Sequence, residues 1–268
     1  MAQALLEKLQ KNKMKEIVIK EKMDIDLSSL DREVNFAIPN EKEEWLYLFN
    51  YSDNINLHFE IRANSILHLS TFAKEPVNNL KISANLAQNS KLIVFFADFA
   101  KDINTSLIDI NLNEPGASVE WHLASLASDK DKKEISVSAY HNAPNTFATV
   151  ENYGVSKDDS KLVFSGTSHI INGSVKSKTH QAAKIMVFDQ NSDAIAKPIL
   201  KIDENDIEAS HAAAVGKISD EHIFYLTSRG LSLEDAKMLI TLGYLKPIFK
   251  GFDDDKVEYI NEIMGGRL

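Results

Sequence analysis

Cysteine is absent from the 268 residues. Its absence excludes disulfides, CxxC redox chemistry, thiolate zinc sites, a cysteine nucleophile and any self-contained all-cysteine iron-sulfur site. Metal chemistry, if any, falls to histidine or carboxylates. Positive charge is also in short supply: Lys+Arg 30 against Asp+Glu 39 gives a formal charge of -9 and a pI of 5.4. With no local basic patch, nucleic-acid binding is not indicated. Long hydrophobic runs are missing as well. The longest, residues 92–97, is cut off by Asp98, far short of the ~20 residues a membrane-spanning helix requires. The amino-terminal stretch sets Leu5, Leu6 and Leu9 at helical spacing among lysines but has no signal-peptide apolar core, and Glu7 and Glu16 count against a transit peptide. The expected location is the cytoplasm.

What is present is core-forming material: 44% hydrophobic and 26% charged residues, enough for one large domain with a small appendage. Residues 1–13 read as a short amphipathic helix. After them the pattern becomes period-two alternation rich in β-branched residues, as in Ile55-Leu57-Phe59-Ile61, Val119-Trp121-Leu123, Ile135-Val137-Ala139 and Leu162-Phe164. Such runs recur at fairly even intervals to Ile202 with almost no helical pattern between them. The fold class is mainly β, a sandwich or barrel or a coiled solenoid of strands. The corners Asn85-Leu86, Asn89-Ser90, Asn104-Thr105 and Asn111 to Asn113 suit the tight turns of a parallel β-helix.

Helical texture begins at Ser219. Ser219 caps a helix with acids in its first turn, an apolar face of Ile223, Phe224 and Leu226, and Gly230 as its stop. Ser232 caps a second, with Leu233, Ala236, Leu239, Ile240 and Tyr244 on one face and Pro247 disturbing its end. A third runs over residues 254–264, closed by Gly265-Gly266. The expected divisions are a helix over 1–13, a β-helix core over 14–205 and a helical region over 206–268.

No HxH, HxxxH or HExxH spacing occurs among the eight histidines. His122 and His141 lie at the ends of neighbouring strand-like runs, as do His169 and His180, and each pair is a candidate to converge in space; the plainer reading is exposed or hydrogen-bonded strand histidines. GxSxG, GxxxxGK[ST] and GxGxxG are missing, so an ATP-driven process would need a partner to hydrolyse the nucleotide. The acids Glu41, Glu43, Glu44 and Asp253 to Asp255 adjoin lysines and read as a solvated face or a helix start. The clustered aspartates and nearby arginine of a β-helical polysaccharide lyase are not seen.

The most distinctive segment is Ala209-Ser210-His211-Ala212-Ala213-Ala214-Val215-Gly216, leading through Lys217 and Ile218 to Ile223-Phe224-Tyr225-Leu226-Thr227-Ser228-Arg229-Gly230. It resembles the carboxy-terminal signature SHxAxVGxIxxxxxFYLxSRG of the SufB/SufD family of iron-sulfur cluster assembly proteins. Tyr140-His141-Asn142-Ala143-Pro144-Asn145-Thr146, Tyr153-Gly154-Val155, Phe164-Ser165-Gly166 and Pro198-Ile199-Leu200 are similar to the family too. The resemblance spans residues 135–250, and the earlier part by texture alone.

What the resemblance implies is a right-handed parallel β-helix with a helical region that docks the ABC-type ATPase SufC, and pairing of two β-helical subunits, here with a SufB-like chain or with itself. Because SufB uses a cysteine, the SufD-like role is preferred: a non-enzymatic scaffold with no stably bound cofactor, a transient iron-sulfur cluster being held at the level of the complex. The histidine of the SH motif falls on His211, the candidate iron or cluster ligand at the subunit interface; its plainer reading is a structural histidine bonding across a tight turn. For SufC docking the expectation is the second helix and its end, through Lys237, Leu239, Ile240, Tyr244, Leu245 and Phe249, with Ile223, Phe224 and Leu226 in the core of a helical pair. The alternative from another class is a β-helical carbohydrate-active enzyme, or another β-solenoid binding protein.

Overall fold

The structure is a computed structural model that describes residues 16–267; the helix expected over residues 1–13 lies outside the described residues. Sixteen strands among them form two parallel sheets. Odd-numbered strands make one, in the order β1 (Glu16–Val18), β3 (Glu33–Ile38), β5 (Ile55–Ile61), β7 (Leu80–Leu86), β9 (Ile103–Leu112), β11 (Lys132–His141), β13 (Lys161–Ile170), β15 (Asp193–Ile202). Even-numbered strands make the other: β2 (Lys22–Asp26), β4 (Glu43–Phe49), β6 (Ile66–Ala73), β8 (Lys91–Asp98), β10 (Ser118–Ala127), β12 (Phe147–Ser156), β14 (Lys178–Val187), β16 (Glu208–Lys217). The chain therefore alternates between sheets, adding one strand to each per turn, which is a parallel β-solenoid.

Alternation along each strand sends every second side chain into the lumen, and the parallel register stacks like on like. Phe36 lies on Phe59 with ring centroids 5.0 Å apart, and Trp121 meets Phe96 edge-on at 6.2 Å. Each fully buried aliphatic or aromatic side chain contributes about 1.5–3 kcal/mol. Corners turn on left-handed residues: Asn64, Asn89, Asn145, Asp129 and Asp158 all have φ between 53° and 59°, conformations that asparagine and aspartate tolerate best after glycine. Gly116 is required at its corner, because a Cβ there would sit 2.2 Å from Asn89 Oδ1 and φ is 79°. Of the expected corner pairs, Asn89-Ser90 and Asn113 are in turns, whereas Asn85, Asn104 and Asn111 lie inside strands. Asn85 and Asn111 project outward and hydrogen-bond along the stack.

The expected boundary at residue 205 falls before the last strand, because β16 continues the solenoid to Lys217. Its run of alanines around one histidine lacks the alternation by which the earlier strands are read. The tail then folds as α1 (Asp220–Ser228), α2 (Leu233–Leu245), a 3-10 turn (Lys246–Gly251) and α3 (Asp254–Gly265). Ser232 Oγ accepts from Asp235 N and caps α2, and Pro247 shifts the chain from α to 3-10 geometry. The tail lies across the outer face of the even-strand sheet. There Leu245, Ile248, Ile260 and Met264 bury Phe72, Ala97, Phe99, Ala124, Leu126 and Val155 in a second core.

Candidate functional site

The last turn of the solenoid is built differently from those before it. One luminal stack runs Val94, Trp121, Val150, Gln181, His211 in consecutive register. The first four are buried and His211 is exposed, because among the described residues no further strand stacks on β16. On the facing sheet Leu162 and Phe164 are stacked by Ala194 and Ala196, and on the His211 strand Ala209 and Ala213 occupy the neighbouring luminal positions. Bulky luminal side chains thus give way to alanine, leaving a shallow mouth with one imidazole in it. Below the mouth the lumen is packed: the void beneath Gln181, Asn152 and Pro198 is ≈ 10 Å³, room for a single water.

The two edges of the mouth are unlike. β15 carries Pro198 at mid-strand with Lys197 and Lys201 around it, the devices that keep an edge from pairing. β16 has no proline, and no ionic residue between Glu208 and Lys217. His211 makes no side-chain hydrogen bond among the described residues and sits at mid-strand, so the reading of it as a histidine bonded across a turn does not hold.

Nor do the other histidines come together. His122 lies on the outer face, stacked on Phe95 at 4.8 Å and bonded to Glu151 at 3.1 Å, whereas His141 is inside the lumen of the other sheet. His169 bonds Asp203 at 2.8 Å and His180 bonds Ser210 at 2.8 Å, on opposite sheets. Among the described residues no three His, Asp or Glu side chains are grouped so that they could hold a metal ion. No helix among them is long and apolar enough to cross a membrane.

The tail candidates are spread over several environments. Leu245 is 1% exposed and forms part of the second core, so the expectation that it contacts a partner is corrected. Its neighbours in the sheet already occupy it. Tyr244 and Phe249 are half-buried in the same core; Tyr244 meets Tyr153 edge-on at 5.7 Å, and burial pushes its phenol up to about 12. Lys237 is half-exposed, tied to Asp189 at 3.3 Å, and Ile240 is half-buried. Leu239 is open to solvent, together with Leu233.

Sequence reasoning placed the first helix correctly but missed its exposed surface. None of its residues is buried: Phe224, expected in the core of a helical pair, is 72% exposed, and its neighbour Tyr225 is 57% exposed. The helix touches α2 and little else, so one flank is left bare. Two adjacent aromatics flanked by Ile223 and Leu226 exceed what one buried face can hold, which is the signal that would have found them. Exposed Phe224, Tyr225, Leu233 and Leu239 make the apolar surface of the tail.

Comparison with known proteins bears on this geometry. The model of the family described as SUF system FeS cluster assembly, SufBD core domain, matches residues 48–244, well over half the chain. The iron-sulfur cluster assembly protein SufD of Bacillus subtilis is 36% identical over 96 residues, 36% of this chain and 22% of that protein. A SufBD family iron-sulfur cluster assembly protein of Staphylococcus saprophyticus is 33% identical over 110 residues, 41% and 24% of the two chains. One of Staphylococcus epidermidis is 29% identical over 124 residues, 46% and 27%. The matched stretches thus span less than a third of these relatives.

Proposed function

The chain belongs to the SufBD family of the SUF iron-sulfur cluster assembly system, and from that premise we propose that it is a SufD-like scaffold subunit. In this reading it turns over no substrate of its own. It pairs through the mouth of its solenoid with a SufB-like chain or a second copy, and it docks the ABC-type ATPase SufC on its tail in the cytoplasm.

The observation that carries the reading is the bare edge of β16. A strand whose outer edge lacks proline and internal charge presents unpaired N–H and C=O groups, which another strand satisfies at no cost in buried polar groups. Glu208 at one end and Lys217 at the other add directionality: an antiparallel partner of similar pattern brings opposite charges together. Pairing there covers His211 and the alanine-lined mouth. Neutral imidazole is a borderline ligand for iron. One histidine is not a site, so a cluster in transit as cargo takes its remaining ligands, thiolates included, from the partner. The carbohydrate-active alternative has no acid cluster to support it among the described residues.

The tail supplies the second contact. Phe224, Tyr225, Leu233 and Leu239 are the anchors that a partner groove accepts. Deleting residues 219–268 is a poor test, since it also uncovers the apolar face formed by Phe72, Phe99, Leu126 and Val155. Point substitutions leave that face covered. The test is co-expression with the SufB-like and SufC-like chains of the same organism, followed by size-exclusion chromatography with mass determination. A stoichiometric complex of all three is expected. Leu239→Asp should remove the ATPase alone, and His211→Ala should preserve the complex while stopping cluster assembly. A chain that elutes only by itself, or a His211→Ala complex that assembles clusters at the wild-type rate, contradicts the corresponding half of the reading.

A further inference from the structure

The side chain that ties the tail to the solenoid most deeply comes from the far end of the described chain. Arg267 is 8% exposed, and its guanidinium enters the corner between β8 and β11. Nη1 donates to the carbonyls of Phe99 at 2.6 Å and Leu126 at 3.3 Å and to that of Ala100; Nη2 donates to Ser128 Oγ at 2.9 Å and to the Asp131 carboxylate. Asp131 is itself buried and also accepts the backbone N–H groups of Asp102 and Ser128. The same corner is held from the lumen by Lys133, which donates to the carboxylate of Asp98 at 3.0 Å and to its carbonyl at 3.2 Å.

The other polar ties of the tail are Lys256 to Asp24 at 3.1 Å, Lys237 to Asp189 at 3.3 Å, Lys22 to Asp253, Ser70 Oγ to the Gly251 carbonyl and Lys157 Nζ to the Arg267 carbonyl at 3.4 Å; they are single contacts of partly exposed groups and are weakly directing. The rest of the contact is mainly apolar. Apolar burial is nearly indifferent to small slides of one surface over another, whereas five donor–acceptor pairs converging on one planar group are met in a single pose only. A buried ionic network of this kind defines register more than it adds stability.

We propose that Arg267 is the positioning residue of the tail: it fixes the pose in which α1 and α2 present Phe224, Tyr225, Leu233 and Leu239, and so governs partner binding at a surface it does not touch. The binding part of this inference rests on the docking reading given above. The positioning part does not.

The test uses the full chain as wild type, Arg267→Met, Asp131→Asn/Arg267→Met and Met264→Ala. The double variant removes the carboxylate that Arg267→Met alone leaves unpaired. Met264 is a fully buried, purely apolar member of the same contact. Backbone hydrogen exchange and affinity for the SufC-like ATPase are read side by side. Both Arg267 variants are expected to exchange about tenfold faster or more across α2, the 3-10 turn and α3 while the solenoid strands keep their protection. They should bind the ATPase about tenfold more weakly, when Met264→Ala of equal tail protection stays within about threefold of wild type. Unchanged tail exchange in both Arg267 variants overturns the proposal. Equal weakening of partner binding by Met264→Ala and Arg267→Met at equal tail protection also overturns it, by reducing Arg267 to one stabilising contact among several. If the wild-type chain does not bind the ATPase, the docking reading fails and the exchange comparison still decides the positioning role.

Discussion

Acid sensitivity in this solenoid should trace largely to one luminal histidine. His141 occupies a stack that otherwise reads Leu86, Leu112, Ile170, Ile202. Its Nδ1 lies 2.8 Å from Thr146 Oγ1, and Nε2 is buried with no partner. Burial disfavours the imidazolium and pulls the pKa from 6.5 down to about 4. Between these values the unfolded chain binds a proton that the folded chain does not, so unfolding becomes easier as pH falls through this window. At 1.36 kcal/mol per pKa unit the stability lost is about 2 kcal/mol by pH 5 and about 3 kcal/mol by pH 4. Replacing the ring with leucine continues the stack. It also orphans nothing, because Thr146 Oγ1 still reaches Ala143 O and Ser177 Oγ. His141→Leu should therefore match wild type within about 1 kcal/mol at pH 7.5 and exceed it by about 2 kcal/mol at pH 5. Urea unfolding followed by circular dichroism at constant ionic strength measures both. Parallel loss of stability by the two proteins from pH 7.5 to pH 5 would show that the imidazole is protonated inside the lumen and refute the reasoning.

Three further outcomes are open to the same measurements. Lys133→Met strands the fully buried Asp98 carboxylate, held then only by Asn104 and Ser125, and should cost about 3–5 kcal/mol; Asp98→Asn/Lys133→Met should recover much of it, and a double variant as unstable as the single contradicts the ion-pair account. Gly166→Ala would set a Cβ 1.9 Å from the carbonyl oxygen of Val137 and should lower the urea midpoint by the equivalent of about 1–3 kcal/mol or more. Phe224→Ser, at a position 72% exposed, should leave stability within about 0.5 kcal/mol while weakening ATPase co-purification; a large fall in melting temperature would mean that the helix is packed against something in the free chain.

Much of the solenoid was legible because parallel stacking repeats one rule. Each strand hides alternate residues, so Ile55, Leu57, Phe59 and Ile61 show the period whatever lies on the next turn. Exact repeats were obscured by growth of the turn: stacked partners are 25 residues apart at His58 and Ser83, 29 at His122 and Glu151, and 31 at Thr146 and Ser177. Caps and stops made the tail readable in place, down to Ser232 and Pro247. The face of α2 was not readable. Ala236, Thr241 and Leu245 are its buried residues while Leu233 and Leu239 face outward, since the helix docks on the sheet face as well as on its neighbouring helix.

By itself the sequence determined the kind of structure: composition ruled out thiolate chemistry, period two marked the strands, capping marked the helices, and a run of small residues around His211 leading to an aromatic helix carried the family resemblance. Those properties are local, carried by residues near one another in the chain. Which groups stand open and which are locked away was decided only by the tertiary structure. His141 and His211 are both histidines on alternating strands, yet one is sealed in the lumen and the other left at its mouth because the stacking stops there. Arg267, unremarkable in the sequence, meets Asp131 from 136 residues away. Burial and long-range pairing depend on where the chain returns in space, and no period or spacing along it encodes that.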